Sequence, residues 1–140
     1  MYRCLIANRG EIAVRIIRAC RELNIETVAI YAKGDETSLH VSLADQAICI
    51  GEANPLDSYL NIDRIISAAK VTESNAIHPG YGFLSESTNF AKAVEDNHIH
   101  FIGPSKTTME MMGDKITARQ TVKQAGVPVI PGSNLSLIHI

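Results

Sequence analysis

Two strand-like runs on either side of one amphipathic helix, all within Arg3 to Tyr31, constrain the fold of this chain more than any other feature. Arg3 to Ala7 is a short apolar run that ends at Asn8-Arg9-Gly10. Ile12, Ile16, Cys20 and Leu23 follow at i, i+4, i+8 and i+11, a single helical stripe that Ala13 and Ile17 widen. Thr27 to Tyr31 is a second β-rich run. Strand, helix and strand at this spacing make a βαβ unit, whose strands are parallel and whose crossover is right-handed.

The alternation continues. Asp45 to Ile50 reads as a strand, and Ile62, Ile65, Ile66 and Ala69 form a helical stripe behind the N-cap candidate Asn61. Ala76-Ile77 is a short strand leading into a loop, His78 to Glu86. Ser87 to Asn97 is a helix with Phe90 and Val94 on one face, and His98 to Ile102 a last strand. Such a pattern predicts an α/β fold with a doubly wound parallel sheet of about five strands, Rossmann-like in its winding. After Gly103-Pro104 the character changes. Ser105 caps a short helix through Met112, Gly113 breaks it, and Asp114 caps a second helix with Ala118, Val122 and Ala125 on one face before Gly126. Val127 to Gly132 reads as a linker or edge strand, and the domain boundary is expected at residue 111.

A chain of 140 residues has room for one domain with a real core, burying roughly 70% of its unfolded surface. Its 13 basic against 15 acidic side chains give a net charge of −2, which predicts no general attraction to nucleic acid or anionic lipid. No apolar run reaches membrane-spanning length, and charges from Arg3 to Glu22 interrupt the region of a secretory signal. Cys4, Cys20 and Cys49 lack C-x-x-C spacing and sit in apolar stretches, so buried, reduced thiols are expected. That favours a reducing compartment, the cytoplasm, or the mitochondrial matrix in a eukaryote.

In open α/β sheets ligands bind outside the carboxyl ends of the strands, which is where Asn8, Arg9 and Gly10 and the loop with His78 and Gly80 fall. These five residues are the expected rim of a pocket. The first strand-to-helix turn has only Gly10 where the G-x-G-x-x-G dinucleotide fingerprint needs three glycines, so a dehydrogenase loses its main support. A helix N-terminus near Gly10 suits an anion; equally, Asn8-Arg9 is a plain turn whose arginine pairs with a carboxylate. In the loop, Gly80 and Gly82 bracket Tyr81 and let backbone N–H groups come close to another molecule, or simply make a turn. His78, His98 and His100 have no Cys or carboxylate at zinc-ligand spacing, so no metal site is expected. Met109, Met111 and Met112 read as packing residues.

The run His78-Pro79-Gly80-Tyr81-Gly82-Phe83-Leu84-Ser85-Glu86 occurs with Ala7-Asn8-Arg9-Gly10-Glu11-Ile12-Ala13 and Met112-Gly113-Asp114-Lys115. In this order the three motifs resemble the N-terminal domain of biotin carboxylase, the ATP-dependent subunit or domain of the biotin-dependent carboxylases, which has an ATP-grasp fold. The resemblance runs from about Arg3 to Ser133. It implies a biotin carboxylase N-terminal domain at 1–111 and the start of an ATP-grasp domain at 112–140. It also implies an ATP-dependent ligase that carboxylates biotin on its carrier protein with bicarbonate, using ATP, Mg²⁺ and biotin. The partners implied are a biotin carboxyl carrier protein or domain, a carboxyltransferase and a second copy of the enzyme in a homodimer; acetyl-CoA carboxylase and fatty acid biosynthesis are one implied setting, with propionyl-CoA and pyruvate carboxylase equally open as hosts.

Residue by residue, the resemblance places Tyr81 and Gly82 in the biotin pocket and Lys115 at the phosphates of ATP, against a solvated lysine as the plain alternative. Glu86 becomes an acidic neighbour of the bicarbonate chemistry, or merely a complement to a helix dipole. Arg18 and Glu22 become dimer-interface residues, or members of a solvated face in which Glu11–Arg15 and Arg18–Glu22 pair for about 0.2–0.5 kcal/mol each. In the family the glycine-rich lid, the metal-binding acidic residues and the catalytic arginine lie further along, so this chain alone is expected to be an inactive fragment that holds no cofactor tightly. From Asn134 to Ile140 it departs from the family, and this apolar tail is expected to be non-native. Two other readings stay open: a non-catalytic nucleotide-binding or interaction module, and a fragment of another ATP-grasp ligase such as carbamoyl-phosphate synthetase.

Overall fold

The computed structural model describes residues 1–113 and 115–130. Five parallel strands, β1 (Arg3–Ile6), β2 (Glu26–Ala32), β3 (Gln46–Gly51), β4 (Ala76–His78) and β5 (His100–Phe101), lie in the order β3-β2-β1-β4-β5. Leu5 is in register with Val28 on one side and Ile77 on the other, so the first strand of the chain is the centre of the sheet. Cys4, Leu5, Ile6, Val28, Ala29, Ile30, Ala76 and Ile77 are all buried, as expected where helices cover both faces of a parallel sheet.

The helices of this unit are α1 (Gly10–Glu22), α2 (Leu39–Leu43), α3 (Ile62–Val71) and α4 (Thr88–Asp96). From β1 the winding runs outward to β2 and β3, then returns across β1 to β4 and β5. Right-handed crossovers therefore put α1 and α2 on one face and α3 and α4 on the other. The contacts agree, α1 touching α2 and α3 touching α4. The buried face of α1 is Ala13, Val14, Ile17 and Cys20; of the expected stripe, Ile12 and Ile16 are half-buried, and Leu23, the C-cap, is exposed. Asn61 caps α3, its Oδ1 accepting from Arg64 N at 3.1 Å, and Ser87 Oγ caps α4, accepting from Phe90 N at 3.1 Å. Phe90 is fully buried, with Phe101 edge-on to it at 5.9 Å between ring centroids.

Three local readings are corrected. His98 closes α4 rather than opening a strand: at φ 60° it takes the left-handed conformation that ends helices, and its N–H donates to Glu95 O at 2.9 Å, so β5 starts at His100. Asp45 precedes β3 and ties it to β2, its Oδ2 accepting from Thr27 N at 2.8 Å while Thr27 Oγ1 accepts from Asp45 N at 3.1 Å. Cys4 and Cys20 are buried in one apolar cluster, and the neighbouring Cys20 thiol, then burial, push the Cys4 thiol up. Cys49, by contrast, is exposed, because the edge strand β3 alternates between more and less covered residues. The short α2 and a 3-10 turn at Pro55–Asp57 are additions, too brief to show a hydrophobic period.

Pro104 begins a second compact unit. It contains α5 (Lys106–Gly113), capped by Ser105 Oγ accepting from Thr108 N at 3.1 Å, and α6 (Lys115–Gln124). Residue 111 falls within α5, and Gly113 ends that helix. Met109 is buried, whereas Met111 and Met112 are exposed rather than packed. On α6 Ala118 and Val122 are half-buried and Ala125 beyond it is exposed; Gly126 follows at φ 83°. The expected Asp114 cap and the tail from Asn134 to Ile140 lie outside the described residues.

Replacing Phe90 by Ala removes a large ring from the packed side of α4. The expected cost is about 3–5 kcal/mol of unfolding free energy by chemical denaturation; a loss below about 1 kcal/mol would contradict this account of the core.

Candidate functional site

The sheet reverses its winding between β1 and β4, and at such a switch point the loops leave in opposite directions and open a crevice. Asn8, Arg9 and Gly10 follow β1; His78 ends β4, and Pro79 to Phe83 follow it. The β1–β4 ladder continues one step further, Ala7 N donating to His78 O at 2.8 Å. Asn8, only 2% exposed, then spans the two loops. Its Nδ2 donates to Pro79 O at 3.0 Å and to Tyr81 O at 2.7 Å, and its Oδ1 accepts from Arg9 N at 2.8 Å. That uses both amide hydrogens and one oxygen lone pair of the side chain.

Gly80 is required where it stands. It has φ 68°, and a Cβ there would lie 2.7 Å from Asn8 Nδ2 and 2.9 Å from Ile12 Cγ2. Its N–H donates to His78 Nδ1 at 3.0 Å, which puts the proton of the neutral imidazole on Nε2. Burial lowers the pKa of His78, since the charged ring would lose hydration. Gly82 has φ 69° with open space where a Cβ would point, and Phe83 has φ 44°. Gly10 also has positive φ, 65°, at the start of α1.

A bulky residue held left-handed costs about 1–3 kcal/mol, so neighbours must offset Phe83. Its ring stacks on Tyr59 with centroids 5.3 Å apart and planes at 22°. The Arg9 guanidinium lies 5.3 Å from the centre of the Tyr59 ring and 5.6 Å from that of Phe83. Aromatic pairs contribute about 0.5–1.5 kcal/mol and cation–π contacts about 0.5–2 kcal/mol, together enough to match the strain. Arg9 Nη1 also lies 3.7 Å from Asp35 Oδ2, so the carboxylate pairing open to it from sequence does form. Tyr59 is fully buried; its hydroxyl donates to Asp35 Oδ2 at 2.6 Å and accepts from Ala32 N at 3.0 Å. Burial, then the Asp35 hydrogen bond, raise the phenol pKa and keep it neutral.

Asn8, Arg9, Gly10, His78 and Gly80 thus meet on one rim. Tyr81 turns its ring outward, 76% exposed, and Gly82 is exposed beside it. Among the described residues the N–H groups of Tyr81, Gly82 and Phe83 have no hydrogen-bond partner, so the exposed stretch at Tyr81 and Gly82 carries free donors beside an aromatic ring. Glu86 is exposed in the turn before the cap Ser87, ahead of α4 rather than at its start. Arg18 and Glu22 are exposed on α1, and neither they nor Glu11 and Arg15 form the i, i+4 pairs open to them. Lys115 is exposed at the start of α6, in the second unit. Among the described residues no three His, Cys, Asp or Glu side chains come together as a metal-ligand cluster. Sequence reasoning missed Asp35, Tyr59 and Phe83. Asp35 sits just past the end of β2, where the strand-end rule would have found it; Tyr59 carried no such signal.

Two outcomes test this geometry. Gly80→Ala should lower unfolding free energy by at least about 1–3 kcal/mol through strain alone, and a thermally neutral variant would refute the close packing on Asn8. Because burial holds the pKa of folded His78 below the ordinary histidine value of about 6.5, the unfolded chain takes up a proton there first as pH falls. The stability contributed by neutral His78 is therefore complete above about pH 6.5 and declines below it. Between pH 7.5 and 5.5 the melting temperature of His78→Gln should fall less than that of the parent chain; equal falls would show that His78 is not the titrating group.

Residues 1–109 match the family model for the biotin carboxylase N-terminal domain. Biotin carboxylase 1 of Bacillus subtilis is 59% identical over 131 residues, 94% of this chain but 29% of that protein. Pyruvate carboxylase of the same organism is 54% identical over 135 residues, 96% of this chain and 12% of its own length. Among solved structures, the biotin carboxylase domain dimer of Hydrogenobacter thermophilus 2-oxoglutarate carboxylase, in complex with MgADP, ADP and bicarbonate, superposes with a TM-score of 0.87 at 53% identity. It covers 94% of this chain and 29% of that one. The chain thus spans less than a third of the length of these relatives.

Proposed function

The chain belongs to the biotin carboxylase N-terminal domain family, and we propose that it serves as the N-terminal part of an ATP-dependent ligase that carboxylates biotin on a carrier protein with bicarbonate. The observation that carries the reading is the rim itself: a glycine loop clamped at the β1–β4 switch point, with unpaired N–H groups and the Tyr81 ring facing outward. A ureido ring is flat and polar, so Tyr81 can cover its face while the N–H groups near Gly82 meet its oxygen. Neither contact needs Tyr81 to move into the core.

Lys115 would reach the phosphates of ATP as a flexible point charge, and Glu86 would stand near the bicarbonate. Arg18 and Glu22 lie on an exposed face of α1 available to a second copy, and the dimeric H. thermophilus domain supports that use. ATP and Mg²⁺ are the proposed cofactors, supported by the MgADP in that same structure. A biotin carboxyl carrier protein and a carboxyltransferase are the partners such chemistry requires. As host we favour an acetyl-CoA carboxylase of fatty acid biosynthesis in the cytoplasm.

The test is a chimera in which this chain replaces the matching stretch of the B. subtilis enzyme. It should carboxylate free biotin and hydrolyse ATP in a bicarbonate-dependent way, whereas the 140-residue chain alone should do neither. In the chimera Tyr81→Ala should depress biotin use about tenfold or more while sparing ATP hydrolysis, and Lys115→Ala should raise the KM for ATP by about tenfold. A folded chimera without activity would defeat the proposal, and equal losses in both assays would make Tyr81 structural.

A further inference from the structure

We propose that Asp35 and Tyr59 are positioning residues for the glycine loop, acting through Arg9 and Phe83 to hold Tyr81 and Gly82 where a ureido ring would meet them. The inference rests on the reading of that loop as the biotin wall.

The loop is held at two points. Asn8 binds the carbonyls of Pro79 and Tyr81 at its start, and the Phe83 ring anchors its end against Tyr59. Tyr81 and Gly82 lie between these anchors, exposed. The first anchor is built from groups at the sheet's own edge. The second depends on residues far along the chain that would otherwise have no reason to meet.

Phe83 remains left-handed only while its surroundings over-determine it. Its stacking partner must therefore be fixed, and Tyr59 is: its ring is buried and its hydroxyl is engaged by Ala32 N on one side and Asp35 on the other. Asp35 Oδ2 is shared between that hydroxyl and Arg9 Nη1, so one carboxylate oxygen aligns both groups that touch the Phe83 ring. Arg9 in turn follows Asn8 directly and gives its N–H to Asn8 Oδ1, which links the second anchor to the first. Asp35 keeps 29% of its side chain exposed, so it can be changed without opening a cavity.

The experiment has two arms. In the 140-residue chain, ¹⁵N relaxation should give Tyr81, Gly82 and Phe83 order parameters typical of rigid backbone, about 0.85. Asp35→Ala should bring these toward about 0.6 while those of α3 stay unchanged. Asp35→Asn, which keeps an acceptor for the Tyr59 hydroxyl, should restore most of the rigidity. In the B. subtilis chimera Asp35→Ala should raise the KM for free biotin about threefold to tenfold, the loss of one hydrogen bond's worth of ordering, and move the KM for ATP less than twofold. Tyr59→Phe, made second because it orphans Ala32 N, should act in the same direction. Unchanged order parameters in Asp35→Ala would overturn the positioning role outright, as would equal rises in both KM values. A loosened loop with an unchanged biotin KM would instead overturn the biotin-wall reading, and the positioning role would fall with it.

Discussion

One buried carboxamide holds the site together. Asn8 lies at the end of the central strand, out of water, and its hydrogens go to two carbonyls of a loop that begins seventy residues later. A buried polar group left unpaired costs about 1–3 kcal/mol, so the amide and the two carbonyls each require the other in place. Asp in this position would bring a charge and no donor; Leu would fill the space and leave the carbonyls dry. The same amide sits against Gly80, which explains why the loop passes close enough to be bound at all.

From that contact the rest of the rim follows in order. The loop is pinned at its start, a left-handed path carries it through Gly80, Gly82 and Phe83, and an aromatic pair under a guanidinium takes up its end. The result is a short arc of backbone, exposed at Tyr81 and Gly82 and held at both ends by fixed neighbours. Sites that must recognise a small polar ring gain from such an arrangement, because little ordering is left to be done when the ligand arrives.

Most of the scaffold was legible in the residues. The stripe Ile12, Ile16, Cys20 and Leu23 and the runs on either side of it point to a βαβ unit, and the N-cap expected at Asn61 and the helix expected to begin at Ser87 both form, Ser87 itself being a cap. The strand-end rule likewise brought Asn8 to Gly10 and His78 to Gly80 to one edge before any coordinates. What stayed hidden was set by tertiary packing. Tyr59 lies just beyond a 3-10 turn, with nothing local to say that its hydroxyl would find Asp35; Phe83 read as part of a motif, without the stacking that holds it. His98 looked like strand because it leads directly into the alternating run Ile99-His100-Phe101-Ile102, while the need to terminate α4 decided its conformation. Cys49 looked buried because the pattern cannot tell an edge strand from a central one.

The central place of β1 also dictates an order of assembly. Cys4 pairs with Thr27 across a short stretch of chain, but with Ala76 across a long one. As the polypeptide emerges N-terminus first, β1, α1 and β2 can associate while the other side of β1 still lacks its neighbour. Closing that longer loop costs chain entropy that the local unit does not incur, so β4 docks late. Until it does, Leu5 and Ile6 present an unpaired apolar edge, and the Asn8 amide is satisfied only by water. The rim is therefore complete only when β4 has closed the sheet, because Asn8 and the carbonyls it binds lie on opposite sides of the β1–β4 seam.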